Sequence, residues 1–142
     1  MRMATVIAQA KQIVLWAAAG ALTFFISSFA VTYVLVFIGV LARSWFGVTD
    51  GFPTGFSWRN EIGPGSCFGV LHGWLILATK PRNWRRAASL GLPIITSFLL
   101  ARQAMLGEFI WDYRTAIIFL WPLSIGVLAT TLLAWQGRRT EW

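Results

Sequence analysis

The feature of the sequence that most constrains its fold is an apolar run with no charged residue between Lys11 and Arg43. As a helix, residues 12–42 would be about 46 Å long, against a bilayer hydrocarbon core of about 30 Å. No polar turn divides the run, and a hairpin inside a bilayer would leave backbone groups without hydrogen bonds. We therefore expect one tilted transmembrane helix that projects beyond one face of the membrane.

The composition is too apolar for a water-soluble domain of this size. Apolar residues make up 57% of the 142 residues and charged residues 12%, which is about half the charged share of soluble proteins. The net charge of +7 does not indicate nucleic-acid binding, because the basic residues flank apolar runs instead of gathering on one soluble face. We expect a lipid bilayer around the chain and no nucleic-acid partner.

Three further apolar runs predict three further transmembrane helices, at residues 62–79, 87–106 and 115–136. With residues 12–42, they predict an all-α integral membrane protein: a four-transmembrane-helix bundle in a single membrane domain over residues 1–142. Residues 44–64, between the first two spans, are rich in glycine, proline and aromatic residues. This composition breaks regular elements and favours an outer loop at the membrane interface.

The basic residues predict the orientation of the chain. With the amino terminus inside, the cytoplasmic segments hold Arg2, Lys11, Lys80, Arg82, Arg85, Arg86, Arg138 and Arg139. The opposite side then holds Arg43, Arg59 and Arg114. Because cytoplasmic loops are enriched in lysine and arginine, we expect both termini in the cytoplasm and a multi-pass protein of the inner (plasma) membrane.

Three glycines recur at every fourth position in the second run: Gly65, Gly69 and Gly73. This spacing places them on one helix face, where a second backbone can approach closely. The pattern predicts a helix-packing or oligomer contact of the glycine-zipper kind. It leaves open whether the facing helix belongs to the same chain or to another one.

Three polar residues form a possible polar site: Glu61, His72 and Arg102. His72 borders the glycine face and either binds a metal-containing pigment, relays protons or forms a hydrogen bond to a neighbouring helix. Arg102 either lines an anion pathway or extends to the outer interface. Glu61 lies at the predicted mouth of the second span, where carboxylates are commonly solvated.

The segment Gly69–Thr79, followed by Asn83 and Trp84, resembles part of a bacterial antenna polypeptide. In that family a histidine within an apolar span ligates bacteriochlorophyll, and a tryptophan follows near the interface, so the resemblance implies pigment binding through His72. Antenna polypeptides are single spans, however, and the basic flank here predicts a cytoplasmic end where the family has a periplasmic one. We therefore assign the chain to no family.

Motifs for catalysis or for nucleotide binding are missing from the sequence: it has no P-loop, no HExxH, no GxSxG and no CxxC. We expect no enzyme, no catalytic residues, no metal site and no cofactor. The leading hypothesis is a non-catalytic accessory or structural subunit of a larger inner-membrane complex of the transport, secretion or respiratory type, with other membrane-protein subunits as partners. The alternative is a self-oligomerising small transporter or pore, and a third reading is a pigment- or haem-binding membrane subunit.

Overall fold

The computed structural model describes residues 2–48, 51–56, 58–80 and 113–140, although within these ranges the side chains of residues 2, 58–65, 113 and 115 are not described. The described residues form three α-helices. They are α1 (Arg2–Phe46), α2 (Trp58–Thr79) and α3 (Tyr113–Arg139).

Helix α1 is 45 residues long, about 67 Å at 1.5 Å per residue. Its sequence has no proline to interrupt it. The helix ends where Gly47 takes a positive φ of 66° and its N–H donates to the carbonyl of Arg43 at 3.1 Å. Glycine adopts this left-handed conformation without strain, so it is the residue that commonly closes a helix.

Helix α2 ends in a similar way without a glycine. Lys80 has a φ of 43°, and its N–H donates to the carbonyl of Ile76 at 2.9 Å. The sequence continues with Pro81, which has no N–H to donate to a further helical hydrogen bond. Helix α2 therefore ends at a position that the sequence marks clearly.

Helices α2 and α3 both pack against α1 and run antiparallel to it. On α2, Gly73 adjoins Trp16 of α1, whereas the earlier Gly69 adjoins the later Phe24. On α3, Trp121 forms a hydrogen bond with Thr32. Later residues of α3 pack near earlier residues of α1, in a small core of Phe24, Ile125 and Ala129. The carboxyl ends of α2 and α3 thus lie at the same end of the structure as the amino end of α1.

The connection between α1 and α2 lies against α1. The ring of Phe56 is 5.6 Å from that of Phe25 and 5.5 Å from that of Phe29, between centroids. Phe52 lies over Gly39, where an added Cβ would be 2.7 Å from the Phe52 Cβ. Phe52 and Phe56, two of the aromatic residues predicted to lie at an interface, therefore contact the helix that precedes them. The loop is also shorter than predicted, because α1 extends to Phe46 and α2 begins at Trp58.

The prediction of a four-transmembrane-helix bundle is wrong. The described residues form three helices, of which two, Met3–Phe46 and Ala116–Arg139, are long and apolar enough to cross a membrane. Helix α2, Trp58–Thr79, is not one of these two. The predicted span at residues 87–106 lies outside the described residues.

Candidate functional site: the glycine crossing and the interior polar residues

Helices α1 and α2 cross where both helices have glycine, so no side chain separates the two backbones. A Cβ added to Gly20 would lie 2.9 Å from the Cα of Gly73 and would overlap the carbonyl oxygen of Gly69. A Cβ added to Gly73 would overlap the carbonyl oxygen of Trp16, and one added to Gly69 would lie 2.7 Å from the Cα of Ala21. We call this contact of Gly20, Gly69 and Gly73 the glycine crossing. It brings the helices closer than any side chain at these positions would allow.

The predicted glycine face therefore meets α1 of the same chain. Gly69 and Gly73 are both buried, and their closest neighbours in space are residues of α1. Gly65, the third glycine of the pattern, lies within α2, but its surroundings are not described. A hydrogen bond next to the crossing also connects the two helices. Trp74 Nε1 of α2 donates to the carbonyl of Ile13 of α1 at 3.2 Å.

Five polar side chains are buried in the described structure, and we call them the interior polar residues. They are Ser27, Ser28, Thr32, His72 and Thr130. Burial of a polar group is costly unless it forms a hydrogen bond. The hydrogen-bond partners of these side chains therefore indicate whether the side chains join helices or face a ligand.

His72 of α2 forms a hydrogen bond with Thr130 of α3, from the ring Nε2 to the hydroxyl Oγ1. The Thr130 hydroxyl also donates to the carbonyl of Gly126 at 2.7 Å. A hydroxyl has one proton, so the proton in the other bond belongs to His72, and Nε2 is the donor. Nε2 is then not available to a metal ion, and the lone pair of the neutral ring is on Nδ1. With the His72 side chain only 2% exposed, this arrangement holds α2 against α3.

A second hydrogen bond connects α1 with α3. Trp121 Nε1 donates to Thr32 Oγ1 at 3.1 Å, and Trp121 also packs against the core that contains Phe24. Ser27 is different, because its hydroxyl is fully buried and has no hydrogen-bond partner. Three of the interior polar residues, Thr32, His72 and Thr130, thus form hydrogen bonds that join helices.

The other two predicted polar-site residues have no described surroundings. Glu61 belongs to α2, but its side chain is not described, and Arg102 lies outside the described residues. Within the described residues, no group of three or more histidine, cysteine, aspartate or glutamate side chains lies close enough to hold a metal ion. Of the three predicted polar-site residues, only His72 thus has a described environment.

Sequence reasoning missed the partners of the residues that it singled out. Gly20 lies at the end of an alanine run, Ala17 to Ala19, and small residues within a span are a signal for close helix packing. Thr32 and Thr130 lie inside apolar runs, and a hydroxyl there carries no sequence signal for a particular partner. The pairing of Thr130 with His72 emerges only from the packing of α2 on α3.

Comparison with known proteins adds no relative to this description, since no protein-family model, no curated protein and no solved structure matches the chain.

Proposed function

We propose that this protein is a multi-pass integral protein of the inner membrane and serves as a non-catalytic subunit of a larger membrane assembly. In this proposal α1 and α3 cross the bilayer in opposite directions. Helix α2 packs against α1 through the glycine crossing and against α3 through the His72–Thr130 hydrogen bond.

The observation that carries the membrane location is the distribution of apolar side chains. In the described structure only Phe24, Ile76, Ile125, Ala129, Leu133 and Ala134 are buried apolar residues, whereas 22 large apolar side chains are exposed. The most apolar windows of α1 and α3 are 22% and 28% buried. A core helix of a soluble protein would be mostly buried, so these faces are suited to contact with lipid or with other apolar helices.

The non-catalytic role is supported by how the interior polar residues are used. His72, Thr130, Thr32 and Trp121 form hydrogen bonds that join neighbouring helices. General acid–base or nucleophilic catalysis needs a reactive group that faces a substrate. In the described part of the chain, the buried His72 and Thr130 face each other instead.

The alternative, a self-oligomerising pore built on the glycine face, is less well supported. Gly69 and Gly73 are buried against α1 of their own chain, so they are not available to a second copy without separation of α1 from α2. A pigment site is also less well supported, since His72 uses Nε2 for Thr130 and has almost no exposed surface.

The test is the native mass of the protein extracted from its own membranes in a mild detergent, with every component identified. We expect other proteins in a fixed ratio to this chain, which would make it an accessory subunit. A complex of this chain alone would contradict the proposal and favour the pore, and ion flux in liposomes with the wild type and with His72→Ala would follow. A lone monomer would contradict both readings.

A further inference from the structure

One end of the described structure carries exposed basic side chains from three segments. They are Lys11 on α1, Lys80 directly after α2, and Arg138 and Arg139 at the end of α3. They lie at the same end because α2 and α3 both run antiparallel to α1. We call this set the basic end.

Tryptophans lie just inside the basic end. Trp74 donates to the carbonyl of Ile13, and Ile13 is two positions from Lys11, about 3 Å along the helix axis. Trp135 is 49% exposed, and the guanidinium of Arg139 lies 3.9 Å from the centroid of its ring. From Trp74 to Lys80 the axial distance is about 9 Å, and from Trp135 to Arg138 about 4.5 Å.

This order along the helix axes is that of a membrane interface. Tryptophan is enriched at the level of the headgroups, where one side of the ring contacts acyl chains and the indole N–H contacts polar groups. Lysine and arginine side chains a few ångströms further out reach the phosphate level. The four basic side chains are therefore placed where lipid phosphates would lie if α1 and α3 cross a bilayer.

The sequence next to these four basic residues is also poor in acids, with Glu141 as the one acidic residue close to them in the chain. The sequence after Lys80 adds further positive charge with Arg82, Arg85 and Arg86. Clusters of four to eight basic residues beside a span bind anionic headgroups.

We propose that the basic end is a binding site for the phosphate groups of anionic phospholipids, with Lys11, Lys80, Arg138 and Arg139 as the recognising residues. The inference rests on the proposed membrane location, and it goes further by naming a lipid class as a specific partner. Arginine suits this role because its planar guanidinium forms two parallel hydrogen bonds to a phosphate.

The test is the binding of phosphatidylglycerol and of phosphatidylcholine with identical acyl chains to the full-length protein in mild detergent, measured by native mass spectrometry. We expect the wild type to bind phosphatidylglycerol more tightly. Each basic residue near a membrane surface contributes about fivefold to the binding of anionic lipid. The double variant Arg138→Gln/Arg139→Gln should therefore bind phosphatidylglycerol about 25-fold more weakly.

Two matched variants separate lipid recognition from general charge and from folding. Arg138→Lys/Arg139→Lys keeps the charge and should keep most of the preference for phosphatidylglycerol. Arg43→Gln/Arg114→Gln removes the same charge at the opposite end and should leave the preference unchanged. Equal binding of the two lipids by the wild type would overturn the proposal. So would an equal loss in the opposite-end variant, or displacement of phosphatidylglycerol by millimolar inorganic phosphate, which would indicate a site for free anions.

An alkaline carbonate wash of the native membranes distinguishes the failure of this inference from that of the proposed function. Release of the protein by the wash would overturn both the membrane location and the lipid site. Retention in the membrane together with equal binding of the two lipids would overturn the lipid site alone.

Discussion

At the glycine crossing, the backbone atoms of two helices are in contact with no side chain between them. The carbonyl oxygens of Gly69 and Trp16 occupy the positions that side chains on Gly20 and Gly73 would take. In a bilayer, lipid tails are as apolar as the helix surface, so association depends on close packing of this kind. The three glycines thus set the distance between α1 and α2.

Replacement of Gly73 by alanine tests this contact. The new methyl group would overlap the Trp16 carbonyl, and backbone atoms cannot move aside as a flexible side chain can. Overpacking costs about 1–3 kcal/mol, and alanine returns about 1 kcal/mol through its higher helix propensity. We expect a net loss of about 1–2 kcal/mol in the free energy of unfolding, measured by denaturation in detergent.

The control for Gly73→Ala is Gly55→Ala. An added Cβ at Gly55 would have no neighbour within 4 Å, so this variant should change the free energy of unfolding by less than about 0.5 kcal/mol. If Gly73→Ala is as stable as wild type while Gly55→Ala is neutral, the helices are not packed as closely as described.

At the level of the helices, α2 is joined to α3 by one buried hydrogen bond. The bond between His72 and Thr130 lies between two side chains that are almost completely removed from solvent. Loss of one partner leaves the other as a buried polar group without a hydrogen bond, which costs about 1–3 kcal/mol. The cost of leaving either side chain without its partner therefore helps to hold α2 against α3.

The variant Thr130→Val removes the hydroxyl with little change in side-chain shape. We expect a loss of about 1–2 kcal/mol in the free energy of unfolding, because His72 Nε2 is left without its acceptor. In a double-mutant cycle with His72→Ala, we expect a coupling energy of about 0.6 kcal/mol, the average for hydrogen bonds between membrane helices, and at most about 1.7 kcal/mol.

The neighbouring residue supplies a matched control. Thr131 donates to the carbonyl of Val127 at 2.8 Å, the same bond within the helix that Thr130 forms with Gly126 at 2.7 Å. Thr131→Val should therefore report the cost of the helix-internal bond alone. Equal losses in the two valine variants would show that the bond to His72 contributes nothing to stability.

The sequence predicted α1 and α3 well because each is a long apolar run, and the spans at 12–42 and 115–136 fall within the two helices. It predicted α2 less well. The predicted span begins at residue 62, and residues 58–61 belong to the predicted loop alone, yet α2 begins at Trp58. The predicted number of spans was wrong, because an apolar run does not by itself determine whether a helix crosses the bilayer or only packs on one that does.

The candidate site was predictable only on the α2 side. The spacing of Gly69 and Gly73 indicates close packing, and an isolated histidine in an apolar run indicates a partner. The facing residues, Gly20 and Thr130, are far away in the chain, at separations for which sequence periodicity carries no information. Their identity follows from the antiparallel packing of α2 and α3 on α1.

On the scale of the whole molecule, the described structure exposes many large apolar side chains and buries several polar ones. Large apolar residues are exposed along the whole of α1, from Met3 to Phe46. In water this surface would be an aggregation site, whereas in a bilayer it is a normal lipid-facing surface. Whether lipid surrounds the middle of α1 can be tested directly.

The variant Ile26→Arg supplies that test. Ile26 is 51% exposed and lies close to the middle of the apolar run. Arginine at the centre of a transmembrane helix raises the free energy of insertion by about 2.5–3.5 kcal/mol. We expect a marked fall in the fraction of protein found in the membrane, measured by fractionation of cells that express each variant.

Trp45→Arg is the control for Ile26→Arg. Trp45 is 72% exposed near the carboxyl end of α1, where an arginine reaches the interface at little cost. Membrane insertion of this variant should resemble that of the wild type. If instead Ile26→Arg remained fully inserted, or gave a soluble and stable protein, α1 would not have lipid at its middle.

The glycine crossing also restricts how this sequence can change over generations. A larger residue at Gly20, Gly69 or Gly73 meets backbone, so no single compensating replacement on the other helix can make room for it. Exposed residues such as Leu22 and Phe37, by contrast, are free to drift among apolar types. Descendants of this chain that keep its fold should retain the three glycines long after the rest of the surface has ceased to be recognisable.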